Sequence, residues 1–418
     1  MTSGDGGGGD GGAGREGACR GGDGGGGDAG GRRGGDGGGG GAVHAARGTF
    51  RPDDVALLLT DITGTIAPKP AEERERLIQG GVHYSEMLPL ESEPSPRYVA
   101  EYRRALGCFA EETALAVAAV AEKIYAAKGK GAVLVSLARA GTPAGVLAKR
   151  YLRRMHGFDA PHYAVSIVRG RGIDAAAMRH ILARHPAADV QFIDGWTGKG
   201  AILDELHRAA RAYFGEQDKR RLLAVVADPA NVTDMCGTRE DIPIASSFLN
   251  SAACGLMSRT IVRPGIGPDE FHGVAFFEEF RGQDRTYEFI EHIEGYFARP
   301  DALRPPAGGQ PNCAPGPKDG PPLCAPSPAD AAQGADEVRG IAERFGIADT
   351  NFVKPGIGET TRVLLRRVPD MVLIAENAER KYISHLIQLA QEKRVPVVRY
   401  PLRRYRACGI IKTLAPDI

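Results

Sequence analysis

Four short runs, apolar almost throughout, constrain this chain most: "GAVLVSL" (131–137), "HYAVSIV" (162–168), "DVQFID" (189–194) and "RLLAVVAD" (221–228). Each gives way to a loop and then to a helix-like pattern, as in "TPAGVLAKRYLRRM" and "AILDELHRAARAYF". A strand that is apolar on both faces has to be covered on both, and the intervening amphipathic helices supply the cover. The pattern predicts an α/β fold with an open parallel sheet, preceded by the helical stretch "YVAEYRRALGCFAEETALAVAAVAEKIYAA". Ligands of such sheets lie beyond the carboxyl ends of the strands, so the loops that follow the runs are where chemistry is expected.

The rest of the chain falls into distinct segments. The first 48 residues hold 25 of the 57 glycines and almost nothing apolar, so residues 1–48 read as a disordered tail. A proline- and glycine-rich stretch beginning "RPDALRPPAGGQPNCAPGPKDG" marks a linker over 299–334. Two ordered domains are expected, 50–298 and 335–418. In the second, "DMVLIAEN" and "VPVVRYP" read as strands, and "ERKYISHLIQLAQEKR" as a helix with Tyr382, Ile383, Leu386 and Leu389 at helical spacing. From Asp336 to Ile418 there are 15 basic and 10 acidic residues, a bias toward a polyanion such as RNA, whereas the whole chain is near neutral at +1. No run of eighteen apolar residues and no secretory leader occur, which places the expectation in the cytoplasm, away from a membrane. Seven scattered cysteines without a CxxC pair agree with reduced thiols.

The loop after the third run, Asp194-Gly-Trp-Thr-Gly-Lys-Gly200, opens a helix. Glycine frees backbone N–H groups at a helix start to cradle an anion, Thr197 and Lys199 add a hydroxyl and a cation, and an acid at the strand end suits ribose hydroxyls. A nucleoside-triphosphate P-loop is excluded, because only Trp196 and Thr197 separate Gly195 from Gly198 and no hydroxyl residue follows the lysine. A dinucleotide fingerprint at Gly170, Gly172 and Ala175 fits on paper, but its turn carries Arg169 and Arg171. The first run ends at Arg139, Ala140, Gly141 and Thr142, again a small-residue turn beside an arginine. Three such loops side by side would surround a ligand bearing more than one phosphate.

These motifs carry a family resemblance. Strand, Asp, then "TGKG" resembles the phosphoribosyl-pyrophosphate loop of type I phosphoribosyltransferases, and "LARAGTPAG" their pyrophosphate loop. More closely, "LLLTDITGTIAP", "ERLIQGGVHYSEMLP", "FIDGWTGKGAI", "DPANVTDMCGTREDIPIASSFLNSAACGLMSRT" and "FHGVAFFEEF" resemble the divergent phosphoribosyltransferase-like family of bacterial tellurium-resistance and stress operons. In that family a Pelota-type RNA-binding domain follows, and "NFVKPGIGETTRVLLRRVP" is similar to its start. Some members of the family are labelled cysteine proteases.

The resemblance implies a parallel-sheet phosphoribosyltransferase-like domain followed by a smaller, three-layer α/β domain of the Pelota and kink-turn-binding kind. It further implies an enzyme acting on phosphoribosyl pyrophosphate or a similar sugar phosphate to make a ribonucleoside-type stress metabolite. Thr197, Gly198, Lys199 and Gly200 would hold the 5′-phosphate and Asp194 a ribose hydroxyl, while Ala140, Gly141 and Thr142 would line the pyrophosphate site. Arg139, Lys199, Arg169 and Arg171, with Mg2+, would stabilise the leaving pyrophosphate. Type I enzymes have two adjacent acids before the loop; here Gly195 takes the second place, so ribose binding rests on Asp194. Structured RNA would meet Arg362, Arg366, Arg367, Arg403, Arg404 and Arg406 through its phosphates.

Other residues leave alternatives open. Asp228, Asn231 and Asp234 follow the fourth run and suit an acceptor or a metal, or equally shape a long turn. A non-catalytic RNA-binding protein that senses a nucleotide is one alternative reading. A cysteine peptidase is another, with Cys236 or Cys254 as nucleophile and His83, His207 or His272 available as partner.

Overall fold

The computed structural model describes residues 46–263, 265–298 and 333–414. The tail up to residue 45 and linker residues 299–332 lie outside the described residues, and with them Cys19, Cys313 and Cys324. In chain order the body contains strands β1 (Ala56–Leu57), β2 (Thr60–Asp61), β3 (Val133–Ala138), β4 (His162–Val168), β5 (Gly172–Ile173), β6 (Val190–Trp196), β7 (Leu223–Ala227), β8 (Cys236–Thr238) and β9 (Gly273–Val274). Its helices are α1 (Ala71–Gln79), α2 (Pro96–Lys128), α3 (Gly141–His156), α4 (Ala175–Leu182), α5 (Ala201–Phe214), α6 (Lys219–Leu222) and α7 (Thr286–Glu294). The C-terminal module adds α8 (Gln333–Arg344), β10 (Val353–Pro355), α9 (Ile357–Arg366), β11 (Pro369–Ala375), α10 (Arg380–Glu392), β12 (Val397–Tyr400) and β13 (Ala407–Ile411).

The body is built on a sheet of order β1-β4-β3-β6-β7-β8 with every neighbouring pair parallel, and β5 folds back antiparallel on β4. The four apolar runs are its centre. The edge strands β1 and β8 are too short to carry a periodic signal, which is why the sequence does not announce them. Helix α2 starts where Ser95 accepts a hydrogen bond from the Tyr98 amide with Pro96 in the first turn, and it ends at Gly129, whose φ of 56° only glycine adopts freely. Along its middle, alanines pack against the sheet, and β8 comes so close that a Cβ on Gly237 would enter the Ala116 carbonyl.

The module is a three-layer unit with sheet order β10-β13-β11-β12. The period of two along β11 sorts its residues: Leu373 and Ala375 join the cluster of Val338 and Ile341 from α8, whereas Val372 and Ile374 join the cluster that holds Leu364, Ile383, Leu386 and the body's α2. Body and module therefore share one apolar core, and from Ala46 onward the described residues pack as a single unit. The fold class is the expected one, α/β with a largely parallel central sheet plus a smaller α/β module. Among the described residues no helix is long and apolar enough to cross a membrane.

Candidate functional site

The carboxyl ends of β3, β4 and β6 point toward the module, and two adjoining cavities lie between them. The larger, about 390 Å³, is bounded by the 194–200 loop, by Arg74 of α1, by Tyr84 and Arg259, and by Lys354, Glu359 and Arg362 of the module. The smaller, about 170 Å³, reaches deeper, to Arg139, Ala140, Ser247, Asn250 and Cys254. Asp194, Trp196, Tyr84, Arg259, Arg362 and Arg366 wall both. Guanidiniums and lysines outnumber carboxylates on both surfaces.

The glycines of the loop act as expected on the backbone. Gly200 (φ 86°) precedes α5 without a side-chain cap, and a Cβ there would press on Val232 Cγ1 at 3.1 Å. Among the described residues no protein group accepts from the amides of Gly198, Lys199 and Gly200. The side chains, however, are committed elsewhere. Thr197 Oγ1 donates to Asp228, and Lys199 Nζ donates to the Thr350 carbonyl at 2.6 Å and to Asn351 Oδ1 at 3.3 Å. Tyr405 of the module donates its hydroxyl to the Gly198 carbonyl at 3.0 Å, and Gly358 lies under the Trp196 indole. A loop that looked open to a ligand is in good part a docking surface for the chain's own C-terminal module.

The other expected contacts divide in the same way. The guanidinium of Arg139 donates to the Met257 carbonyl and to Glu91 Oε1 at 3.1 Å, and Arg171 pairs with Glu86. Thr142 is fully buried, and Gly141 packs against the Ile193 carbonyl of β6. Arg169 lines the larger cavity, its amide held by the Tyr84 hydroxyl at 2.8 Å. Of the arginines expected to meet RNA, Arg362 pairs with Glu359 and lies 4.4 Å over Trp196, Arg367 pairs with Glu75 at 2.5 Å, and Arg366 lines both cavities. Arg406 pairs with Glu240, Arg404 is half-buried, and Arg403 is exposed.

The acidic cluster after β7 is a turn. Asp228 accepts from Thr197 Oγ1, from the amides of Val232 (2.9 Å) and Thr233 (3.0 Å), and from Arg239. Asn231 takes a left-handed conformation (φ 58°) to close it, and Asp234 pairs with Arg220 at 2.6 Å. A carboxylate ringed by donors and a guanidinium does not fit a divalent cation such as Mg2+, and among the described residues no group of three His, Cys, Asp or Glu side chains is placed to hold a metal ion.

The four described cysteines are all free thiols. Cys108 is exposed on α2, Cys236 and Cys408 lie in the cores, and Cys254 lines the smaller of the two cavities above. None of the three histidines named as partners bonds a cysteine: His83 meets Ser85 Oγ and the Arg169 carbonyl, His272 meets Ser166 Oγ, and His207 meets the Gln217 carbonyl. Burial, with Glu91 nearby, holds the Cys254 thiol above its ordinary range, and Arg139, Arg366 and Arg362 offset this only in part.

Asp194 is the carboxyl of the cavity wall with the most displaced titration. Burial, against the pull of Arg362, raises it from 3.8 to about 6, and its Oδ1 accepts from the Gly195 amide at 2.7 Å. Because the folded value is the higher one, the native state binds a proton between these two values that the unfolded chain does not, so the stability contributed by this group falls as pH rises and is lowest above about 6. Asp194→Asn keeps an acceptor for Gly195 and removes the buried charge. Its melting temperature should exceed that of the parent at pH 8, by the equivalent of about 3 kcal/mol, and equal it near pH 4. An equal or lower value at pH 8 would show that the charge is compensated.

Comparison with known proteins then supplies a family. Residues 48–294 match the family described as tellurite-like stress resistance cysteine protease StiP, and residues 332–413 match the PELOTA RNA binding domain. The chain is 32% identical over 379 residues to the cysteine protease StiP of Acinetobacter baylyi, a match that covers 88% of this chain and 94% of that protein. No solved structure matches the chain. These findings bear out the resemblance to a stress-operon family with a Pelota-type domain, and they overturn the activity inferred from it. The family is described as a cysteine protease, so phosphoribosyl transfer is corrected, and with it the reason for a pyrophosphate-bound Mg2+. The physical ground is the same: Thr197, Lys199 and Arg139, which were to grip the donor, are bound by Asp228, Thr350 and Glu91.

Proposed function

The chain belongs to the StiP family of tellurite-like stress resistance proteins and carries a PELOTA RNA-binding domain, and on that premise we propose that it is a cytoplasmic thiol peptidase with Cys254 as nucleophile and a C-terminal module that binds RNA. The observation that carries the reading is the position of Cys254 on the wall of the 170 Å³ cavity, with Arg139 and Arg366 beside it. Asp194 shares that wall, and burial raises its carboxyl to about 6, which suits a group that takes up and returns a proton.

The step balances without a histidine. Asp194 accepts the thiol proton, the Cys254 sulfur bonds to the scissile carbonyl carbon, and the negative charge that develops on the carbonyl oxygen faces guanidiniums of the cavity. Protonated Asp194 then gives its proton to the leaving amine as the C–N bond breaks, and water releases the acyl group from sulfur. Arginines in place of an imidazolium favour the thiolate electrostatically and favour substrates with acidic side chains.

A fluorogenic peptide library offered to purified full-length protein tests this. Cys254→Ala should abolish hydrolysis and iodoacetamide should inactivate the parent, whereas Cys108→Ala, on the exposed face of α2, should leave the rate unchanged. Hydrolysis that survives in Cys254→Ala sinks the assignment.

A further inference from the structure

Three guanidiniums in the seam between body and module are left by the protein without a carboxylate. Arg74, on α1, is only 2% exposed, donates Nη1 to the Arg366 carbonyl at 3.3 Å, and has no acceptor for Nε. Arg366, on α9, likewise has no acceptor for its buried Nε. Arg259 lies 4.2 Å over the Tyr84 ring. Among the described residues none of the three is in an ion pair, although all three line the 390 Å³ cavity. The acids that act on Arg74 and Arg366 are already taken, Glu75 by Arg367 and Glu91 by Arg139 and Ser251. Burial and mutual repulsion lower the protonation of Arg366, and they bring Arg259 down to about 9.

Buried charge that a protein does not pair for itself is charge held for a ligand, because an isolated guanidinium out of water is strongly unfavourable. The ligand has to be an anion with oxygen acceptors in a fork geometry, a phosphate or a carboxylate. The composition of the wall decides between them. Lys354, Arg362 and Arg366 belong to the segment that matches the RNA-binding domain, while Arg74 and Arg259 belong to the body.

We propose that Arg74, Arg259 and Arg366 form a clamp for a phosphate of single-stranded RNA, so that RNA held by the C-terminal module is gripped at the same time by the body. The clamp rests on the RNA-binding reading of that module and is independent of the thiol chemistry. It places RNA against the wall shared with the Cys254 cavity, where its charge would offset the arginines that favour the thiolate.

The chain has one tryptophan, Trp196, in this wall, so its fluorescence reports occupancy directly. Full-length protein is titrated with a 5′-phosphorylated oligouridylate over a range of salt. Arg74→Gln and Arg259→Gln should each weaken binding about tenfold and reduce the salt slope by about one, and Arg74→Gln without RNA should melt no lower than the parent. RNA binding with unchanged affinity and slope in both variants overturns the clamp and leaves the module's RNA binding standing. No RNA binding by the parent overturns both. If polyglutamate or inorganic pyrophosphate binds and loses affinity in the variants while RNA does not, the triad serves a peptide or a free phosphate and the proposal fails. Should Arg74→Gln not fold, Arg259→Gln, on a partly exposed residue, carries the test alone.

Discussion

Replacing Asp54 by alanine is expected to cost about 3–5 kcal/mol of folding free energy, the usual consequence of removing one partner from a buried ion pair. Arg150 donates Nε to Asp54 Oδ1 at 2.8 Å and Nη2 to Oδ2 at 2.7 Å, and Tyr287 donates its hydroxyl to Oδ2 at 2.7 Å. Both charged side chains are nearly inaccessible, so in the variant the Arg150 guanidinium keeps only Glu294. The pair joins the start of the body to α3 and α7, three segments far apart in sequence. Burial alone would raise the Asp54 carboxyl, but the bonds from Arg150 and Tyr287 outweigh it and hold the value below 3.8. With a depressed folded value, the contribution is present above 3.8 and fades as pH falls through the folded value. Urea unfolding of parent and variant should therefore differ most at pH 7 and converge in acid. A difference under 1 kcal/mol at pH 7 would show that solvent reaches the pair.

Asp241→Ala should release the C-terminal module from the body. Asp241 accepts from the Ile357 amide at the start of α9 (2.9 Å) and from the Arg406 amide (2.8 Å), while the Arg406 guanidinium donates to the Asp241 carbonyl. One carboxylate thus satisfies two buried N–H groups of the module, and losing it leaves both without an acceptor, at about 1–3 kcal/mol each. Part of that loss is offset, because burial raises the Asp241 carboxyl to about 6 and its charge is itself unfavourable in place. A net loss of about 2–4 kcal/mol should appear as faster amide exchange in α9 and β13, with little change in β3 and β6. Uniform exchange across body and module would mean that the shared core, rather than this carboxylate, holds the seam.

The parallel sheet was legible because its four central strands are apolar on both faces, and the strand tips that carry Arg139, Asp194 and Lys199 do line neighbouring cavities. What those residues do there was not legible. Lys199 in a glycine loop reads as a phosphate cation until Thr350, 151 residues later, is seen to accept from it. Arg74 was invisible for the opposite reason: in "AEERERLIQ" it resembles one charge among several on a solvated helix, and only the module's α9 turns that face into an interior. Glu91, which holds Arg139 from an irregular segment, had no spacing signal either, and Cys254 was visible only as one of two thiols before a glycine.

The local order of residues carried the four central strands of the body, the helices between them and the basic bias of the second module, because periodicity and composition act over a few neighbouring residues. Which cations are spent on the protein's own oxygens, as Lys199 is on Thr350, emerges from the three-dimensional packing. Charge pairing depends on distance through space and on the water that burial removes, and neither is written in the local order of residues.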